Sequence, residues 1–227
     1  MSKPVAIFFH CLTHLGTPPG LRENAVNIIR EQMDAITESG LLYECSEFIV
    51  GINGGAESQQ VANLVIPSKA RIVLHGLESR AENLTLIEIE KFVKTHPDWH
   101  VFYFHAKGAS HDPNSDYGKF SAGWRLGMMQ DLVVNWRQCV ADLETHDIVC
   151  SHWMWNLADG TQHIPAGNFL WVTSNFAAKL PSMYLRDRIK QDGISALSSR
   201  YEAEVAWGNG PKPVVKSYRP NGGGGVP

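Results

Sequence analysis

An α/β fold built on a mostly parallel sheet is what this sequence predicts, and three observations predict it. Short apolar, β-branched or aromatic runs alternate with amphipathic stretches of helical period along most of the chain. The most apolar run, His100-Val-Phe-Tyr-Phe-His105, is too short for a helix and is bounded by Trp99 and Gly108, as a strand buried on both faces should be. It then breaks into Ala106-Lys107-Gly108-Ala109-Ser110-His111, polar groups that a buried strand does not need. In open α/β sheets, ligands are held at the carboxyl ends of the strands, which marks His105 to His111 as a candidate site.

The elements follow in order. Val5 to Phe9 predicts a first strand ending at His10 and a polar loop carrying Pro18, Pro19 and Gly20. Val26, Ile29, Met33 and Ile36 recur at spacings of three and four, predicting a helix from Asn24 to Gly40, with the glycine as C-cap. Glu47 to Ile52 is the second strand, closing in Asn53-Gly54-Gly55, and Arg71 to Leu74 is the third. Ile87, Ile89, Phe92 and Val93 mark a helix ending near His96-Pro97, for which Asn83 or Thr85 is the expected cap.

After the strand at 100–105, Asp112 to Tyr117 reads as a polar loop beside the site. Trp124-Arg125 then opens a long helix with Leu126, Met129, Val133, Trp136 and Val140 as its apolar stripe. Strands are expected at 147–150 and 167–172, and helices at 182–189 and around 199–207. The expected organisation is one domain over residues 1–208 and a proline- and glycine-rich arm over 209–227.

Composition bounds the function. With 227 residues, 44% hydrophobic and 19% charged, the chain can bury a substantial core and is not a disordered polyelectrolyte. A net charge of −3 gives no bulk electrostatic case for nucleic-acid binding. Cys11, Cys45, Cys139 and Cys150 are scattered, with no C-x-x-C pair, so neither a disulfide framework nor a zinc knuckle is expected. The N-terminal apolar run is too short for a signal or membrane segment, and the reading is a cytoplasmic, reduced protein. There is no G-x-S-x-G, Walker A, G-x-G-x-x-G or H-E-x-x-H string, which speaks against serine hydrolases, P-loop enzymes, dinucleotide dehydrogenases and zinc hydrolases.

Five strings stand in a telling order: Glu82-x-x-Thr85-Leu86, His105-x-Lys107-Gly108-x-Ser110-His111, Trp124-Arg125, His163-x-x-x-Gly167-Asn168-Phe169-x-Trp171 and Arg200-x-x-x-Glu204-x-x-Trp207. Together, over roughly residues 75 to 208, this order resembles glycosyltransferases of the GT-A kind, including domains of rhamnan and polysaccharide biosynthesis. The resemblance implies a GT-A-like sheet flanked by helices and transfer of a sugar from a nucleoside-diphosphate sugar to an acceptor hydroxyl. Its partners would be a nucleotide-sugar donor and a glycan or other hydroxyl-bearing acceptor. Many GT-A enzymes also hold Mn²⁺ or Mg²⁺ on an Asp-x-Asp under the donor diphosphate; here the corresponding strand end is His105-Ala-Lys107, which leaves metal dependence open and His105 as the candidate ligand.

Such a reaction needs stabilised charge on the departing diphosphate, a base for the acceptor and a cleft to position both. Lys107, Gly108, Ser110, His111, Arg125, His105 and His10 are the donor-side candidates, although Trp124-Arg125 is equally read as packing plus an ion pair. Asn168, Trp171, His163 and Trp155 are the acceptor-side candidates, an amide and rings suited to sugar hydroxyls and faces, or to core packing. Late acidic motifs supply the base in many inverting GT-A enzymes, so the resemblance points to Glu202 and Glu204. Two apart on a helix, they do not share a face; Glu204 fits the family spacing, and Glu202 reads rather as solvated surface. The alternatives are a non-catalytic binding relative that keeps the fold, and, last, a hydrolase with a histidine-bound metal.

Overall fold

The structure, a computed structural model, describes residues 3–12, 19–53, 63, 65–75, 82–155, 163–182, 203–208 and 210–219. Seven strands make the main sheet: β1 (Val5–Leu12), β2 (Glu47–Asn53), β3 (Arg71–Leu74), β4 (His100–His105), β5 (Ile148–Cys150), β8 (Leu170–Thr173) and β9 (Val215–Ser217). Their order is β3-β2-β1-β4-β8-β5-β9, and β8 alone runs antiparallel to its neighbours. Two further strands, β6 (Trp153–Trp155) and β7 (His163–Pro165), form a separate antiparallel pair. The α/β, mostly parallel sheet expected from the sequence is the sheet found.

Successive strand residues point to opposite faces, and here both faces are apolar. Ile7, Phe9, Phe102, Phe104 and Trp171 pack on one side with α1 (Pro19–Glu38) through Ile29, Met33 and Ile36. The same layer holds Met128, Leu132 and Trp136 from α4 (Asp116–Met129), a π-helical turn (Gln130–Val134) and α5 (Trp136–Asp142). Phe8, Val101, Tyr103, Leu170 and Val172 pack on the other side against Leu86, Ile89, Phe92 and Val93 of α3 (Asn83–Thr95). Short α2 (Leu41–Glu44) and α6 (Ser174–Ala177) complete the layers. Phe104 lies 4.5 Å from Phe9 and 5.0 Å from Phe102 between ring centroids, so Phe104→Ala should cost about 3–5 kcal/mol in the centre of the first layer.

Several local expectations are corrected. Trp124-Arg125 does not open its helix. Ser115 caps it, its hydroxyl accepting from the Gly118 N–H at 3.0 Å, so part of the expected polar loop is helix α4. Neither Asn83 nor Thr85 caps α3: Glu82 holds the cap position without a side-chain bond, and the Thr85 hydroxyl meets His10. Gly167 and Asn168 are not strand residues but a left-handed turn, with φ of 86° and 55°. Within the expected C-terminal arm, Val215–Ser217 joins the sheet as an edge strand on β5. Gly54-Gly55 and the helix expected at 182–189, apart from Ser182 itself, lie outside the described residues.

The four cysteines are free and buried. No described helix is long and apolar enough to cross a membrane.

Candidate functional site

The parallel strands β1 and β4 end side by side, with His10 in register with His105. The period-two alternation that buries Phe102 and Phe104 in one layer sends Tyr103 and His105 together to the other face, where both meet Glu82. The His105 Nδ1 lies 2.8 Å from Glu82 Oε1, and the Tyr103 hydroxyl donates to Glu82 Oε2 at 2.8 Å. Asn168 donates to the same oxygen at 2.5 Å and accepts from the Trp207 indole N–H at 2.8 Å. The left-handed turn makes this reach possible, and its glycine is required: a Cβ on Gly167 would come within 2.8 Å of the Met128 sulfur.

His105 Nε2 faces the Gly167 carbonyl at 3.1 Å. With a carboxylate on one ring nitrogen and a carbonyl on the other, both nitrogens donate only when the ring carries two protons. Burial alone would raise the Glu82 carboxyl. The facing His105, with His10 and the Tyr103 hydroxyl, outweighs it and holds Glu82 down at about 2. Tyr103 moves the other way, raised well above the usual phenol range by burial and by the Glu82 charge. His10 is lowered to about 4, chiefly by burial, and its Nδ1 meets the Thr85 hydroxyl at 2.9 Å.

Glu204 stands beside this network on the helical residues 203–205, just before a 3₁₀ turn (Ala206–Gly208). Burial raises its carboxyl to about 7, and the Glu82 charge pushes the same way. Lys107, His105 and the Gly167 backbone N–H favour the ionised form without restoring the ordinary value. Lys107 extends from the end of β4 with its Nζ 4.1 Å above the Trp124 ring. A protonatable carboxyl near neutrality and an ammonium, both held against a rigid ionised network, are the parts of a proton-transfer and anion-stabilising site.

The remaining sequence-derived candidates are distributed unevenly. Arg125 is 5% exposed and committed to Glu31, through Nε at 2.9 Å and Nη2 at 3.1 Å. Its Nη1 donates to the Lys107 carbonyl at 3.0 Å, so it is engaged in shaping the loop. Gly108 has φ 90°, and a Cβ there would sit 3.1 Å from Arg125 Nη1 and Ser121 Oγ. Ser110 is exposed, while the His111 ring packs edge-on to Tyr117 and its carbonyl accepts from Asn24 at 3.1 Å. Trp171, expected toward the acceptor, is a core residue: fully buried, stacked 4.9 Å from Phe102, with its indole N–H on the Leu132 carbonyl. Asn168 is engaged by Glu82 and Trp207, not turned to an open cleft. Trp155 and His163 are register partners in the β6–β7 pair; their side chains, like Glu202, lie outside the described residues.

His105 as a metal ligand does not fit this arrangement, because neither ring nitrogen has a lone pair turned to open space. Among the described residues no group of three His, Cys, Asp or Glu is placed to hold a metal ion.

The residues that sequence reasoning missed are Glu82, Tyr103 and Thr85. Glu82 and Thr85 stood in a quoted string, but three residues apart before an apolar run they read as a helix start. Tyr103 looked like one more aromatic in a buried strand.

Fold and site thus define an α/β protein with a polar, partly ionised cluster at the carboxyl ends of its central strands. Residues 14–180, well over half of the chain, match the family model described as Domain of unknown function (DUF8361), and the chain belongs to that family. No curated protein matches it. Among solved structures, a candidate nucleotide-diphospho-sugar transferase from Desulfovibrio desulfuricans G20 is similar at 8% identity and TM-score 0.44, covering 94% of this chain and 78% of that one. The 4-diphosphocytidyl-2C-methyl-D-erythritol synthase from Anaerococcus prevotii DSM 20548 gives 9% identity and TM-score 0.42 over 96% and 91% of the two chains. The CMP:2-keto-3-deoxy-manno-octonic acid synthetase complexed with CTP gives 10% and 0.40 over 98% and 92%. Likeness at this level carries no argument about chemistry.

Proposed function

We propose that this chain is a glycosyltransferase that moves a sugar from a nucleoside-diphosphate sugar to an acceptor hydroxyl on a glycan or polysaccharide precursor. The observation that carries the reading is Glu204: a half-buried carboxyl raised to about 7, coupled to Lys107 at the carboxyl end of the central strand. The order of the sequence motifs supports it independently. A reducing compartment, the cytoplasm, suits the four unpaired thiols.

The reaction is a single displacement. Ionised Glu204 takes the proton of the acceptor hydroxyl as the acceptor oxygen forms its bond to the anomeric carbon. The bond from that carbon to the diphosphate oxygen breaks, and its electron pair leaves on the diphosphate. Lys107 stands against the charge that develops there, in a partly dry cleft where an ammonium acts more strongly than in water. The Glu82–His105–Tyr103–Asn168 network holds the surroundings of Glu204 and touches neither reacting atom.

The test is incubation with a panel of nucleotide sugars, following release of free nucleoside diphosphate by wild type and Glu204→Gln. Slow release by wild type that depends on Glu204 supports the transferase. Binding of a nucleotide sugar without any turnover would assign a non-catalytic binding relative instead.

A further inference from the structure

Resting on the transferase reading, we infer that this site recognises the donor diphosphate as a free anion, with Lys107 standing where a divalent cation would otherwise bind. The metal implied by the sequence resemblance requires carboxylates with unengaged oxygens beneath the diphosphate. Among the described residues at this strand end the nearest candidates are engaged. Glu82 gives one oxygen to His105 and the other to both Tyr103 and Asn168. His105 places its second nitrogen on the Gly167 carbonyl at 3.1 Å. Glu204 is bound by the Gly167 N–H, and its burial favours the protonated form, which ligates metal poorly.

What the loop supplies instead is a positioned cation. Arg125 is locked by Glu31 and grips the Lys107 carbonyl at 3.0 Å, so the backbone from which Lys107 departs is fixed. The Trp124 ring lies under the ammonium, limiting its excursions. Trp124 is itself braced edge-on by His152, 6.1 Å between centroids. Gly108, in its left-handed turn, carries the chain away from this point. An ammonium so held performs the charge neutralisation of a Lewis acid on a departing diphosphate. Its positive charge also opposes entry of a divalent ion at the same place.

Inorganic pyrophosphate is the probe, since it carries the recognised group without any assumption about base or sugar. Its binding to the full chain is measured by titration calorimetry in EDTA and in excess Mg²⁺, for wild type, Lys107→Met and Lys107→Arg. The methionine keeps an unbranched stem on Trp124, and the arginine keeps the charge. The expected result is binding in EDTA within roughly threefold of that in Mg²⁺, a loss of about 10–100-fold in Lys107→Met, and substantial recovery in Lys107→Arg. Binding that requires Mg²⁺, binding in EDTA indifferent to both Lys107 variants, or no binding in either buffer would each overturn the inference. The wild-type comparison stands even if a variant fails to fold. Pyrophosphate binding in EDTA with no turnover of any nucleotide sugar would leave this anion site standing and remove the transferase reading; turnover only with Mg²⁺ would do the reverse.

Discussion

Two carboxylates in this molecule face basic side chains and are largely withdrawn from water, and they are placed differently. Glu82 binds His105, Tyr103 and Asn168 at the carboxyl end of the sheet, all within the protein body. Asp131, in the π-helical turn, binds Arg219 through Nε at 2.8 Å and Nη2 at 3.1 Å, and takes the Ser151 hydroxyl at 2.5 Å. The Arg219 side chain is 46% exposed, whereas the His105 and Glu82 side chains are 16% and 15% exposed. The Asp131 cluster fastens the segment after β9 to the helical layer, and its charge reaches the Cys139 thiol, raised chiefly by burial, and the His152 ring, lowered chiefly by burial. The Glu82 cluster has Glu204 next to it, and its negative charge helps keep that carboxyl protonated to near pH 7. On the proposed function, the Glu82 charge bears on the chemistry because its field falls on a carboxyl that still exchanges a proton near neutrality.

The largest expected effect separates the two regions by activity. Glu204→Gln should lower sugar transfer by about 10²–10⁴-fold with little change in donor affinity, measured as kcat against KM, while Arg219→Ala leaves transfer within a few-fold of wild type. Equal losses in both variants would erase the distinction. The wild-type rate should also rise with pH through about 7 as Glu204 ionises, and this acid limb should vanish in Glu204→Gln.

Stability gives the next contrast. Glu82→Ala leaves a partly buried imidazole, a phenol and an amide without their shared partner, and should cost about 3–5 kcal/mol in denaturant unfolding. Because Glu82 is depressed in the fold, its contribution is complete above its unfolded value near 4.5 and is lost as the pH falls toward 2. Buried His10 adds to the acid sensitivity: its folded value is about 4 against 6.5 unfolded, so stability falls as the pH drops between those values.

Glu204 carries the opposite sign. Its folded value is raised, so the native state favours the proton, and stability is lost as pH rises from about 4.5 through 7. Glu204→Gln should therefore raise the melting temperature relative to wild type at pH 8 more than at pH 4, even as it removes activity. A variant whose melting temperature tracks wild type at both pH values would mean that the carboxyl is not held in the protonated form. The smallest effect belongs to the half-exposed pair: Arg219→Ala leaves the Asp131 carboxylate with the Ser151 hydroxyl and should cost about 1–3 kcal/mol, with its salt dependence readable in the same unfolding experiment.

The sequence by itself determined the layered α/β class, the central strand at 100–105 and the helices packed on it, because apolar periodicity is a local property that survives in one dimension. It also offered Lys107, a cation at a strand end, and, through the family resemblance alone, Glu204 as candidates. Only the tertiary structure decided which side chains complete the cluster. Glu82 and Asn168 are 86 residues apart, and Asn168 and Trp207 are 39 apart, so their bonds exist only once the crossovers have brought them to one strand end. The same closure withdrew Trp171 and Arg125 from the site. An indole in a strand and a guanidinium on a helix look alike in sequence whether they face a ligand or a core, and the choice lay with the partners on other elements: Phe102 and the Leu132 carbonyl for one, Glu31 for the other.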